Sequence, residues 1–434
     1  MMIDQKNNNQ NPSLFRSFIN SSITASSDVQ KNYLQVVKNV CETIKKLLDS
    51  EKMIINIQYQ PKEFWQKAKN FTSCFVDGGI DKASIFSSAP LSIRAGSYIV
   101  NPSSAEKNRE LYEESMVFVG DLYDPKNELY EVSDDPFEDD QLLNKKKDAA
   151  RIIFESATIV KHILLKRKLS YCFLHGPVEA TAMPFTSPDF PSFTKFAVEQ
   201  MLPFTANMKM DNKDRHFINI YLKTLECIKN IDYPIYGIVE NTHSSIFLRN
   251  FLFNCKKKNL ISNTNFEQTI ATLKRYKLSD PILLEIILEE NQAVKPLSVQ
   301  KQSFGFGFLP GSEWEQIIKK FPDVYMGYLK VNGQQAPIRI ESLHNPKNLE
   351  IDFEYILATS KLLPNYGFPV GLDVVDKFAR IPKWLGKASR TCYATFRLKE
   401  ALKGSDQSAI SAAVKILSKK GRTWKNRPMA GGFR

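Results

Sequence analysis

The apolar positions between residues 71 and 100 fall into three short runs separated by polar and glycine-rich stretches. Runs of this length, bounded by turn residues, predict strands that fold back as a hairpin and meander. The first run ends at Asp77, which Gly78 and Gly79 follow. Asp-Gly is a common turn signal, so this segment alone predicts a turn there. A carboxylate at the end of a buried strand is also suited to binding a metal ion.

Helical spacing of apolar residues precedes these strands. Behind a capping-box pattern at Ser27 and Gln30, residues 29–48 carry one apolar stripe. The stripe predicts a long amphipathic helix that faces the core or a second subunit. Residues 1–25 are rich in Asn, Ser and Gln and lack such periodicity. They are expected to form a mobile lead-in.

Helical and strand-like patterns then alternate along the chain. A helix is predicted at about 142–166, a strand at 169–174, a helix at 215–229 and a strand at 234–239. Later helices are predicted at 277–290, 349–361, 372–378 and 408–417, and later strands at 324–330 and 336–341. This alternation predicts an α/β fold with a mixed sheet flanked by helices.

Two polar side chains stand out against these apolar elements. Glu155 lies near Ile152 and Ile159 on the predicted helix, and a carboxylate among aliphatic side chains requires a partner. Arg151, one turn earlier, would provide an ordinary salt bridge. A metal ion would satisfy the carboxylate more completely. His175 ends the strand that follows, where a lone histidine is more often structural than a metal ligand.

Composition narrows the classes of function. Lys and Arg outnumber Asp and Glu by 59 to 47, and this net charge of +12 favours a polyanionic partner such as DNA. No apolar run is long enough to span a membrane and no secretory leader is visible, so a cytoplasmic protein is expected. The six cysteines lack metal-binding spacing, which argues against a zinc site. The absence of GxxxxGK[ST] argues against a P-loop.

Two segments are rich in charged residues and lack the apolar patterns that predict the core. Residues 121–141 are strongly acidic and are expected to form a solvated insertion. The final segment, 419–434, places basic residues including Arg422 and Lys425 around Trp424 and Phe433. Basic side chains interleaved with aromatic ones suit contacts with the backbone and bases of nucleic acid. A solvated terminus that anchors a partner subunit is the alternative.

Several short motifs follow one another along the chain: VDGG at 76–79, Arg94-Ala95-Gly96, Arg151 with Glu155, LHGPV at 174–178, YGIVENT at 236–242, LSDPILL at 278–284, IRIE at 338–341 and YGFPVGLDVVDKFARI at 366–381. Taken in order, they resemble the motifs of the NurA nuclease family. The resemblance covers roughly residues 70–385. It implies an RNase H-like core and a DNA nuclease dependent on Mn²⁺ or Mg²⁺. It also implies a homodimer that works with a hexameric HerA-type translocase in DNA repair or antiviral defence.

The resemblance assigns metal ligands at four positions. Asp77 and Glu155 match the first two, whereas His175 stands where the family has Asp and Asp376 where it has His, with Asp373 as a fallback. One interpretation is that the last two ligands have exchanged chemistry and activity is retained. The other is that the site has decayed. If the four residues form one metal cluster, their ligand atoms should lie within roughly 3–6 Å of a common point.

The resemblance also sets the expected organisation of the chain. We expect a lead-in at 1–25, a helical segment at 26–66, a nuclease domain at 67–390 and a C-terminal helix with a basic tail at 391–434. By position, Arg94, Lys377 and Arg380 are candidates for phosphate contacts, together with Arg422 and Lys425. The competing functions are a DNA-binding adaptor without catalysis and an RNase H-fold nuclease that acts on RNA–DNA hybrids.

Overall fold

The computed structural model describes residues 33–82, 91–120, 122–124, 136–179, 190–240, 242–299 and 316–382 apart from 318, with isolated positions between 384 and 411. Its strands are β1 (Ile54–Asn56), β2 (Ser73–Lys82), β3 (Leu91–Val100), β4 (Glu110–Gly120), β5 (Tyr171–His175), β6 (Ile235–Val239), β7 (Gln292–Val299), β8 (Val324–Leu329) and β9 (Ile338–Ser342). Its helices are α1 (33–50), α2 (Pro61–Ala68), α3 (Pro136–Leu164), α4 (Lys195–Met201), α5 (Phe217–Lys229), α6 (Ile246–Lys257), α7 (Asn263–Arg275), α8 (Asp280–Ile287), α9 (Leu349–Ser360) and α10 (Val370–Ala379).

All nine of these strands form one mixed sheet in the order β1-β7-β8-β9-β6-β5-β2-β3-β4. The pairs β2–β5 and β5–β6 are parallel, and β3, β4 and β9 join them antiparallel. The helices α3 and α5 separate the parallel strands along the chain, as a parallel connection requires. The predicted α/β class with a mixed sheet is confirmed.

Apolar side chains cover both faces of this sheet. On one face, Cys74 and Val76 of β2 pack in a cluster with Ile153 of α3. On the other face, Phe75 packs with Phe353 of α9 and other side chains of α9 and α10. A third cluster joins α1, α6 and α8 to β7 and β8. Because successive residues of a strand point to opposite faces, Asp77 shares the α9 and α10 face with Phe75.

The predicted turn at Gly78 and Gly79 is wrong. Strand β2 continues through both glycines to Lys82, and Asp77 pairs with Gly96 of β3 inside the sheet. The glycines serve close packing instead of chain reversal. A Cβ built on Gly79 would lie 2.3 Å from the carbonyl oxygen of Ala379, at the end of α10. Glycine is therefore needed because the helix backbone rests directly on the strand.

Other differences lie at the ends of elements. Helix α3 begins at Pro136, inside the segment expected to form an acidic insertion, and proline is favoured at a first helical position. The helix expected at 277–290 is shorter, and β7 follows it as a strand that the pattern did not reveal. The predicted N-terminal helix is confirmed over 33–50, with Val37, Ile44 and Leu48 buried.

The first and last segments of the chain lie outside the described residues. The lead-in, the capping box at Ser27 and the basic tail fall outside the described ranges. None of the helices in the described part of the chain has the length and apolar character that crossing a membrane requires. All six cysteines are free thiols, and four of them are buried.

The packing of α10 predicts the effect of a single methyl group. Replacing Gly79 with Ala should reduce the free energy of unfolding by about 1–3 kcal/mol, the usual cost of overpacking against backbone. Gly333→Ala is the matched control, because a Cβ at that exposed position meets no atom within 4 Å. Urea denaturation measures both variants. Equal stability of Gly79→Ala and the wild type would contradict the close approach of α10 to β2.

Candidate metal centre at the ends of the parallel strands

The register of the two central parallel strands brings the first two site residues together. Val76 of β2 pairs with Leu174 of β5, so Asp77 and His175 follow at neighbouring positions on the same face. The Nδ1 atom of His175 lies 3.1 Å from Oδ2 of Asp77. Asp77 is almost fully buried, whereas about a third of the His175 side chain is exposed. One member of the pair is therefore shielded from water, and the other is partly accessible to it.

Helix α10 brings a third donor to this pair. One ligand atom from each of Asp77, His175 and Asp376 lies within 4.8 Å of the other two. Asp376 also pairs with Arg380, one turn later on the same helix. The fallback residue Asp373 is bound by Lys377 at 2.6 Å and is not in this group of described residues. The structure thus brings together three of the four predicted ligands, including both unusual ones.

Glu155 approaches the same site from the opposite face of the sheet. It lies on α3, and a Cβ built on Gly78 would be only 2.9 Å from its Cγ atom. The absence of a side chain at Gly78 lets the carboxylate approach the strand, whose Gly78 N–H donates to Asp77 Oδ1 at 2.7 Å. Arg151 Nη1 lies 3.3 Å from Glu155 Oε1, as the salt-bridge interpretation predicted. Within the described residues Glu155 is not in the 4.8 Å group, although its charge acts on Asp77 and His175.

Burial concentrates negative charge in this region. Burial raises the pKa of Glu155 to about 8, since the Arg151 charge only partly offsets the lost hydration and Asp77 adds repulsion. Burial alone would lower the pKa of His175, but the hydrogen bond and charge of Asp77, helped by Glu155 and Asp376, raise it. The cluster therefore favours a cation, either a proton on the imidazole and Glu155 or a metal ion.

The donor set fits a divalent metal ion. Carboxylate oxygens and an imidazole nitrogen are ligands for Mn²⁺, and carboxylates also suit Mg²⁺. Asp77, His175 and Asp376 would hold the ion, and Glu155 would contribute charge from across Gly78. Because Asp77 binds Nδ1 of the imidazole, Nε2 is the second ring nitrogen available for an ion.

The basic residues predicted near the site have three different placements. The Arg94 guanidinium lies 4.2 Å above the ring of Phe378, beside Gly96. Lys377 and Arg380 are exposed on α10 and pair with Asp373 and Asp376 respectively. Arg422 and Lys425 lie outside the described residues.

Sequence reasoning missed residues that shape the site without supplying ligands. The ring centroids of Phe368 and His175 lie 5.4 Å apart, with the two ring planes tilted by 55°. Glu341 is buried on β9 and accepts the N–H of Val178, just after His175. The sequence shows only that Arg339 and Glu341 alternate with Ile338 and Ile340, a pattern typical of a strand with one exposed face, whereas all five residues of β9 are buried.

The sheet order and the crossing helices define a mixed α/β protein, and the carboxylate–imidazole cluster lies across its parallel strands. The NurA domain model matches residues 71–381, about 70% of the chain. The chain therefore belongs to the NurA family. The predicted family resemblance is confirmed.

Comparison with solved structures agrees with this fold. The NurA nuclease from Sulfolobus solfataricus aligns with a TM-score of 0.51 at 9% identity, covering 89% of this chain and 98% of its own. A second NurA structure aligns at 0.44 with 11% identity, covering 88% and 98%. A NurA with manganese aligns at 0.44 with 10% identity, covering 85% and 96%. No curated protein matches the chain. At these identities, the first likeness supports the fold alone.

The raised pKa of Glu155 predicts a pH-dependent contribution to stability. Between the unfolded value near 4.5 and about 8, the folded metal-free protein retains a proton that the unfolded chain releases. The contribution of Glu155 to stability should therefore fall as pH rises through this window, by up to about 1.4 kcal/mol per unit. Glu155→Gln removes the titrating group. Urea denaturation in the presence of chelator measures the free energy of unfolding of both proteins. The value for the wild type minus the value for Glu155→Gln should decline from pH 5 to pH 8. A constant difference would contradict the raised pKa.

Proposed function

We propose that this protein is a divalent-metal-dependent DNA nuclease that hydrolyses phosphodiester bonds at DNA ends. The observation that carries the proposal is the convergence of Asp77, His175 and Asp376 within 4.8 Å. Membership of the NurA family and the net charge of +12 support a DNA substrate. Mn²⁺ is the first metal to test and Mg²⁺ the second.

The chain's own residues would perform distinct tasks in this reaction. Asp77 and Asp376 would hold the ion, and Asp77 also orients the His175 ring through Nδ1. His175 would bind the ion or carry a proton through Nε2. When bound, the ion stabilises negative charge on the phosphate during hydrolysis. Phe368 would exclude water from one side of the imidazole.

One observation favours the second candidate, a DNA-binding adaptor without catalysis. Asp376 is paired with Arg380, and Glu155 is paired with Arg151 and lies outside the close group. Such pairs satisfy the carboxylates without a metal. The adaptor would bind DNA in a salt-sensitive manner and degrade none with any divalent ion. The donor group favours the nuclease, because an isolated salt bridge does not require a buried Asp77 or a neighbouring imidazole.

Loss of Asp77 should abolish the activity. Asp77→Ala removes the most buried donor, so Mn²⁺-dependent degradation of linear DNA should fall by more than ~100-fold, beyond the 10–100-fold typical of an outer-shell partner. Asp81→Ala is the matched control, because Asp81 lies on the same strand and face outside the close group. Equal degradation by Asp77→Ala and the wild type would refute the catalytic assignment. A wild type without degradation in any divalent ion, yet with DNA binding, would support the adaptor.

A double exchange tests whether the two unusual ligands work together. His175→Asp and Asp376→His should each reduce Mn²⁺-dependent degradation by at least ~10-fold, since each alters the balance of carboxylates and imidazoles. The double variant restores two Asp, one Glu and one His at the site and should recover part of the activity. The readout is the initial rate of nucleotide release. A double variant no better than the worse single variant would argue against ligand exchange.

We also propose two assembly properties that the family resemblance implies. The protein would form a homodimer and would process DNA ends together with a HerA-type hexameric translocase, in repair or in antiviral defence. A cytoplasmic location agrees with this proposal. Light scattering of the purified chain, alone and mixed with such a translocase, tests both assembly properties. A monomer with no complex formation would refute them and would leave the metal centre unaffected.

A further inference from the structure

The loop that follows His175 rests directly on the neighbouring strand β6. A Cβ built on Gly237 would lie 2.5 Å from the Val178 nitrogen and 2.6 Å from the Gly176 carbonyl oxygen. The Gly176 N–H donates to the Ile238 carbonyl at 2.9 Å. The Tyr221 hydroxyl donates to the Val178 carbonyl at 3.2 Å. The absence of a side chain at Gly237 therefore allows the loop to lie flat against the sheet.

A buried carboxylate from the next strand holds this loop in place. Glu341 of β9 pairs with Gly237 across the sheet, and its Oε2 accepts the Val178 N–H at 3.1 Å. It also accepts the N–H of Glu179. Only 2% of Glu341 is exposed, so these bonds lie away from water. Buried N–H groups at a strand end require such an acceptor.

Arg339 links the Glu341 carboxylate to a second loop, which leaves the sheet at the end where the candidate site lies. Its Nε lies 3.0 Å from Glu341 Oε1, and its Nη1 donates to Thr242 Oγ1 at 3.1 Å. Thr242 follows β6, as Val178 follows β5. One ion pair on β9 thus holds the connections that leave two adjacent parallel strands. Both connections leave the sheet at the end of the parallel strands where His175 lies.

A buried ion pair adds little net stability to a protein. Removing two charges from water costs several kcal/mol, and well-packed apolar residues often stabilise a core equally well. The pair of Arg339 and Glu341 lies on a strand whose five residues are all buried. Glu341 accepts a backbone N–H from one loop, and Arg339 donates to a side-chain hydroxyl of the other. This arrangement favours a role in orienting the loop over a role in general stability.

We propose that Glu341, held by Arg339, is a positioning residue that fixes the loop after His175 and thereby sets the imidazole against Asp77. The proposal rests on the proposed metal centre for its functional consequence. Partners of this kind beyond the ligands typically change metal affinity by 10–100-fold when removed. Glu341→Ala should therefore weaken Mn²⁺ binding by about that factor.

The experiment measures Mn²⁺ binding by calorimetry on the full chain, with unfolding free energy measured in parallel. Glu341→Gln keeps an oxygen that can accept the Val178 N–H, so its affinity should lie between those of Glu341→Ala and the wild type. Asp352→Asn is the matched control. Asp352 is also buried and accepts two hydroxyl groups, those of Tyr171 and Tyr236, neither of which belongs to the loop after His175. It should lose stability without a comparable loss of Mn²⁺ affinity.

A metal-free readout separates failure of the positioning role from failure of the metal centre. In Glu341→Ala without metal, hydrogen exchange should accelerate at Val178, and the ring-nitrogen resonances of His175 should shift. Gly237→Ala, which displaces the same loop from the other side, should shift those resonances as well. If Glu341→Ala does not fold, Glu341→Gln and Gly237→Ala provide the same comparison.

Two results would overturn the proposal. One is wild-type Mn²⁺ affinity in the Glu341 variants despite reduced stability, which indicates a structural role only. The other is unchanged His175 resonances in the metal-free variants. A wild type without saturable Mn²⁺ binding would instead refute the metal centre, and the His175 resonances would then decide the positioning role by themselves.

Discussion

The register between β2 and β5 is the constraint on which the site depends. Because Val76 pairs with Leu174, the next residues of two parallel strands are Asp77 and His175, with Oδ2 of Asp77 and Nδ1 of His175 3.1 Å apart. A slip of one residue would turn one of the two side chains to the opposite face of the sheet. The apolar packing of alternate residues on both faces fixes this register, so the core and the site are specified together.

Glycines on β2 then decide what can approach that pair. Gly79 admits the end of α10, which carries Asp376, and Gly78 admits Glu155 from α3 on the other face. The result is a concentration of carboxylates in a poorly hydrated region, where burial raises the pKa of Glu155 to about 8. A folded protein maintains such charge at a cost to stability, which a bound cation would offset. This concentration of carboxylates supports the proposed cation site.

Much of this arrangement could be predicted from the sequence, and the errors have physical reasons. The buried strands before Asp77 and His175 have clear apolar patterns, so their presence and the α/β class were predictable. The turn at Gly78 was wrong because the same glycines permit a helix to approach, and a local pattern does not encode the distant partner. The approach of Glu155 and the roles of Glu341 and Gly237 depend on contacts across the sheet. Such contacts have no periodic signature in a single chain.

The central claim is that Asp77, His175 and Asp376 bind one divalent ion. The most direct measurement is anomalous diffraction from crystals of the full chain soaked in Mn²⁺. We expect a peak about 2.0–2.3 Å from one ligand atom of each of the three residues, as metal–ligand bonds require. A peak that appears only elsewhere would contradict this claim. The claim would also be contradicted if, at saturating Mn²⁺, the site showed no peak and Asp376 remained paired with Arg380.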